Sequence, residues 1–170
     1  NTSNTPFRGY KHDGYEGGIS TPFIVHWPQG MQKRMKGKLV HDPSHLIDLM
    51  PTFVTASEAQ YPTTYHDGQT IQPMEGISLL PALSGAGLTR EEALGFEHHG
   101  NLALRDGRYK IVSAYRRDEP VKWELYDMQE DRTELNDLSD EMPEKKQQLI
   151  DKWQVWADRI GVQPWPIRRK

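Results

Sequence analysis

NLALRDGRYKIVSA, residues 101–114, reads as two short strands joined by a tight turn. Asp106-Gly107 at its centre suits the two positive-φ positions of a type I′ hairpin turn, with strands on either side over 101–105 and 108–114. Downstream, Lys122-Trp-Glu-Leu-Tyr126 alternates polar and apolar residues and predicts a third antiparallel strand. From Pro143 to Ile160 an apolar stripe of Leu149, Trp153, Trp156 and Ile160 recurs at helical spacing, and Gly161 supplies the stop. A small antiparallel sheet packed by a long C-terminal helix is therefore expected over residues 96–170.

Upstream the pattern changes. Thr21-Pro-Phe-Ile-Val-His-Trp-Pro28 is a short apolar run bounded by prolines, without alternation, and is expected to be a buried strand of a parallel sheet. HLIDLMPTFVTASEA, residues 45–59, has apolar residues at helical spacing. With Asp48 as N-cap, Pro51 falls in the first turn, where its missing N–H loses no intrahelical bond. The helix is expected from Asp48 to about Glu58. Residues 60–95 hold Pro62, Pro73 and Pro81 with Gly68, Gly76, Gly85 and Gly87; this stretch reads as a linker with a short helical turn over 78–83. The expected division is 1–95, the end of an α/β domain, and 96–170, an α+β subdomain.

Composition narrows the function. The 170 residues carry a net charge of −3 with basic residues scattered among acids, which gives no argument for general nucleic-acid affinity. With no cysteine there is no disulfide, thiolate metal site or cysteine nucleophile in these residues. No run approaches the ~18 apolar residues of a membrane span. The sequence opens on Asn1 without a signal peptide, as a piece of a longer protein would.

FRGYKHDGYEGG, residues 7–18, sets four glycines around one lysine. Such a loop lets the backbone approach a small anion while Lys11 binds it; a lysine on a solvated turn is the plainer reading. His12 is read as a loop-surface histidine, and Glu16 as structural, accepting backbone N–H groups in the glycine turn. His98 and His99 suggest a metal, but neighbours on an extended segment face opposite ways, which argues against a zinc site. Arg105 is expected in a structural ion pair, and Trp153 and Trp156 in the core.

Lys11-x-x-x-Tyr15-Glu16-Gly17-Gly18-Ile19 with Thr21-Pro22 and Trp27-Pro28 resembles the sulfatase family, of the alkaline phosphatase superfamily. Asp48-Leu-Met-Pro-Thr52, Asp67-Gly68, Gly76 to Pro81, Glu97 to Lys110, Trp123 to Asp127 and Asp131 to Leu138 are similar to its later segments, in the same order. The resemblance implies the C-terminal portion of an arylsulfatase-like hydrolase of sulfate esters, inactive alone. It matches Lys11 to the family's sulfate-contacting lysine, which would also stabilise transition-state charge. It places His98, His99 and Asn101 near the mouth of the substrate pocket, His99 ahead of His98. It further implies a calcium ion and a formylglycine nucleophile, both held upstream of Asn1. Ser20-Thr-Pro-Phe-Ile24 has isoleucine where that nucleophile's motif needs arginine, and no aspartate cluster suits calcium.

Two other readings stay open at this point. One is a phosphonate or phosphate monoester hydrolase, since a tetrahedral oxyanion looks alike to one lysine. The other is a non-catalytic binding module. In the sulfatase reading the parent is periplasmic or secreted. The piece itself would leave apolar surface of its first part uncovered and pair with copies of itself.

Overall fold

The computed structural model describes residues 4–166. Its helices are α1 (Glu16–Ile19), α2 (Leu49–Ala56), α3 (Leu80–Ser84) and α4 (Pro143–Ile160), and its strands β1 (Leu94–His98), β2 (Asn101–Asp106), β3 (Tyr109–Ser113) and β4 (Glu124–Asp127). Of these, residues 4–23 and 92–166 form one unit, and residues 24–91 another. This differs from the division expected at 95: the opening loop packs with the later sheet.

In the first unit the four strands pair antiparallel in the order β1-β2-β3-β4. Two tight turns set the register. His98 pairs with Asn101, so His99 and Gly100 form the first turn; both have positive φ, 51° and 81°, as a type I′ turn requires. Asp106 pairs with Tyr109, so the second turn is Gly107-Arg108 rather than the expected Asp106-Gly107. Gly107 alone has positive φ there, at the first central position, which is the requirement of a type II′ turn. β1, not anticipated from the sequence, is the partner that makes the Glu97–Asn101 segment a hairpin.

Successive strand residues face opposite sides, and here both sides are covered. Leu102, Leu104, Ile111 and Leu125 face α4, where they meet Leu149, Trp153 and Ala157. Ala103, Val112 and Tyr126 point the other way and pack with Tyr15 and Met128. The α4 stripe thus runs Leu149-Trp153-Ala157, every fourth residue; Trp156 flanks it, and Ile160 is 45% exposed rather than core. Burying each large side chain of this face contributes roughly 1.5–3 kcal/mol. Trp153 meets Trp123 edge-on, with centroids 5.4 Å apart. α4 starts with Pro143 in its first turn and ends at Gly161, whose left-handed φ of 75° closes the helix.

The second unit is built around Asp48. A 3₁₀ turn over Leu46–Asp48 leads into α2, with Pro51 buried in the first turn. Asp48 stands at the N-cap position as expected, yet its carboxylate does not cap α2. It accepts the N–H of His45 at 2.7 Å and of Ile77 at 2.9 Å, and it pairs with Arg90. Burial pushes this carboxyl up, but the Arg90 guanidinium and the two N–H groups outweigh it and hold it below its ordinary value. α2 stops at Ala56, short of Glu58. Leu46, Met50 and Phe53 are 76%, 53% and 61% exposed. The helical turn expected over 78–83 is α3, closed by Gly85 in the left-handed region.

The expected buried strand over Thr21–Pro28 does not form. Residues 21–27 have no regular structure, and Ile24 is 89% exposed. A parallel strand needs neighbours and a cover on each face, and among the described residues none pairs with this run.

Gly95 on β1 tests how closely α4 sits on the sheet. A Cβ there would lie 2.3 Å from the Trp156 ring. Gly95→Ala is expected to destabilise the unit by about 1–3 kcal/mol in urea unfolding. A large part of that should be recovered when Trp156→Leu is added; additive losses would show the contact to be unimportant.

Candidate functional site

The loop over residues 7–19 lies on the sheet face opposite α4, and two of its side chains go down into the protein. Tyr15 enters the second core cluster, and its hydroxyl donates to Glu124 Oε2 at 2.6 Å. Tyr126 donates to the same oxygen at 2.7 Å. The Arg8 guanidinium lies 4.2 Å over the Tyr15 ring and donates to the Tyr126 hydroxyl at 2.7 Å. Burial first, then the Glu124 carboxylate, raises both phenols well above their ordinary values, so both act as fixed donors.

Glu16 goes deeper. Lys110 on β3 is fully buried, and its ammonium donates to Glu16 Oε1 at 3.1 Å and to Glu134 Oε1 at 2.8 Å. The other Glu134 oxygen accepts the Glu16 backbone N–H at 2.7 Å, and Arg132 reaches Glu16 Oε2 at 3.3 Å. Glu16 is therefore structural, but its side chain accepts from cationic side chains rather than from backbone N–H groups in the turn. Burial pushes both carboxyls up. For Glu16 the attraction of Lys110 outweighs burial and lowers it; for Glu134 burial wins and it stays raised. Arg105 makes no ion pair among the described residues, contrary to expectation; its Nε donates to Gly107 O at 3.4 Å. Burial lowers its pKa, against the attraction of Glu16.

Gly17 and Gly18 serve the loop itself. A Cβ on Gly17 would come within 2.3 Å of Gly9 O, and one on Gly18 within 2.1 Å of Asp13 O. The Gly17-Gly18 pair lets the chain fold back on its own carbonyls, which fixes the segment that carries Lys11.

Lys11 and His12 stay on the surface. Lys11 forms no hydrogen bond or ion pair among the described residues. The structure brings three histidines together beside it: His12 Nδ1 lies 2.8 Å from His98 Nε2, and the His98 and His99 rings stack with centroids 4.2 Å apart. His99 is not on an extended segment. Its left-handed φ of 51° turns its ring alongside that of His98, so the opposite-faces argument fails here. Asn101 is committed to the turn: its amide donates to His98 O at 3.1 Å, and its carbonyl accepts Tyr115 N–H at 3.0 Å. Glu97 accepts Gly100 N–H at 2.9 Å from the same turn. Trp165 stacks on His99 at 4.6 Å, and a cavity of about 420 Å³ opens between Glu97, His98, His99, Val162, Gln163 and Trp165.

His12 and Trp165 are the neighbours that sequence reasoning missed. For His12 no local signal existed, its partner lying 86 positions away; for His98 and His99 one did, since His-Gly at a hairpin turn favours left-handed φ, which brings adjacent histidines to one side. The calcium ion implied by family resemblance does not fit these residues. Among the described residues the group with converging ligand atoms is His12, His98 and His99, which offers nitrogen where calcium takes oxygen.

A small antiparallel sheet with one long helix, carrying a glycine-rich lysine loop on its far face, is the C-terminal subdomain of a sulfatase. The chain belongs to the N-sulphoglucosamine sulphohydrolase, C-terminal, family, whose model matches residues 10–156. An uncharacterized sulfatase of Schizosaccharomyces pombe is 27% identical over 150 residues, covering 86% of this chain and 26% of that protein. Steryl-sulfatase of Mus musculus is 32% identical over 112 residues, covering 66% of this chain and 16% of that protein. Among solved structures, Ps i-CgsB shares the fold with a TM-score of 0.68 at 22% identity, over 91% of this chain and 32% of that one. The chain spans no more than about a third of the length of these proteins.

The buried ammonium can be tested directly. Lys110→Met removes the charge that lets two buried carboxyls ionise, and breaking such a pair costs about 3–5 kcal/mol. Without it both carboxyls are raised in the folded state, so folding takes up protons and stability falls as pH rises through the raised values. Urea unfolding should show a larger loss at pH 8 than at pH 5; an equal loss at both would refute the role of Lys110.

Proposed function

We propose that this chain is the C-terminal part of a sulfatase that hydrolyses sulfate esters, with Lys11 binding the sulfate group. The observation that carries the reading is a free cation on a fixed base: Lys11 is exposed and unpartnered among the described residues, while Tyr15 and Glu16 anchor its loop from below. An ammonium about 4 Å from a sulfate oxygen contributes on the order of 4 kcal/mol in a moderately screened site. Because the loop is ordered beforehand, little of that is spent on arranging it, and the part that grows with transition-state charge speeds the reaction. His98 and His99, at the rim of the cavity, contact the part of the substrate that leaves. Asn101 acts on substrate through them by holding their turn.

In this reading the formylglycine nucleophile and calcium belong to the parent outside these residues, and no step is assigned to them here. The parent is exported, and residues 1–170 alone turn over no sulfate ester. No helix of the described residues is long and apolar enough to cross a membrane.

In the intact parent, Lys11→Ala is expected to lower kcat/KM for an aryl sulfate by roughly 10²–10³, the loss that a charge contact of this size predicts. Circular dichroism should not change, since the side chain supports no packing. An unchanged kcat/KM would refute the sulfate-binding role.

The exposed Leu46, Met50 and Phe53 face is, in the same reading, covered by the rest of the parent. Residues 1–170 alone are therefore expected to self-associate with rising concentration in sedimentation equilibrium, and Phe53→Asp to shift them toward monomer. A monomer at all concentrations would count against that cover.

A further inference from the structure

We propose that His12, His98 and His99 form a binding site for a borderline divalent transition metal, of the zinc, cobalt or nickel type. The site shares His98 and His99 with the substrate contact proposed above, but the observations behind it do not depend on the sulfatase reading. The three side chains come from two segments 86 residues apart, and one ring nitrogen of each lies within 4.8 Å of the others. The 2.8 Å approach of His12 Nδ1 to His98 Nε2 is already as short as a hydrogen bond between a protonated and an unprotonated nitrogen. His98 and His99 stack at 4.2 Å, His12 and His98 at 4.9 Å, and His12 and His99 at 5.7 Å.

Both supporting backbones are fixed. His99 sits in a turn tied by Glu97 to Gly100 N–H and by Asn101 to His98 O and Tyr115 N–H. His12 precedes Tyr15 and Glu16, whose side chains are anchored in the protein. All three imidazoles are exposed, and rotation about their side-chain bonds, for His99 off its stack on Trp165, brings a nitrogen of each to the ~2.0–2.1 Å of a metal–imidazole bond. Three imidazoles leave a fourth position open to water or an anion, the arrangement of open rather than closed zinc sites. The nitrogen donors select against calcium and magnesium, which take oxygen.

The turn that holds His99 also serves the site. A non-glycine residue with φ near +51° is held in an uncommon conformation. That conformation puts its ring on the same side as that of His98, which an extended chain would not do.

The test is titration of residues 1–170 with Co²⁺, read by its visible ligand-field absorption. One ion per chain is expected, displaced by Zn²⁺ and not by excess Ca²⁺. His12→Gln and His99→Asn should each weaken binding by roughly tenfold or more, because each removes one of three ligands. Asparagine tolerates left-handed φ, so the second variant keeps the turn; far-UV circular dichroism checks the fold of both. His41→Gln, an exposed histidine of the other unit, should leave binding unchanged. Absence of a ligand-field band, or equal weakening by His41→Gln, overturns the site. Neither outcome tests the role of Lys11 in sulfate ester hydrolysis, which this experiment does not measure.

Discussion

Lys110 sits at full burial in a β-strand between two glutamates that come from opposite ends of the chain, and the rest of the first unit is arranged around that fact. A lone buried ammonium would be too costly to keep; the two carboxylates offset it, and Arg132, paired with Glu16, balances the second of them. The geometry they require also sets the opening loop. To reach Lys110, Glu16 must go down through the glycine loop, and this fixes the segment that holds Lys11 at the surface. A buried ion pair is weak evidence for stability, but here it specifies one loop conformation over others. Tyr15, packed against Val112 and Tyr126 and bonded to Glu124, adds the apolar part of the same anchor.

The sheet and helix were legible because their signals are local. Turn residues marked the β2–β3 hairpin, and i, i+4 spacing marked α4 with its Pro143 start and Gly161 stop. The turn itself was shifted by one residue, because cross-strand pairing of Asp106 with Tyr109, not the Asp-Gly dipeptide alone, sets which residues turn. A further clue lay in Leu102-Ala103-Leu104 and Ile111-Val112. Strands apolar at consecutive positions are covered on both faces, and that pointed to a second cover besides α4. The sequence could not say that the cover was the loop at residues 7–19. For Thr21–Pro28 composition misled: β-branched and aromatic residues describe a strand that needs partners, and those are not among the described residues.

The site was legible in part. Lys11 stood out through its glycines and its family resemblance, although Gly17 and Gly18 serve the loop's contact with its own carbonyls. The role of Glu16 was structural as read, but its partners, Lys110 and Glu134, lie 94 and 118 positions away and leave no local trace. His12 was set aside for the same reason, since its neighbour is His98. The opposite-faces reading of His98 and His99 failed on one backbone angle. Treating 98–100 as extended put the two rings apart, whereas the left-handed turn puts them together.

The distance between Glu16 and Glu134 along the chain has a consequence in time. During synthesis at roughly 5–20 residues per second, residue 16 emerges roughly 6 to 24 seconds before the residue it must bond to. The lysine loop therefore lacks this anchor until residue 134 has been made. A nascent chain interrupted before residue 134 would carry Lys11 without the support that gives it a fixed position.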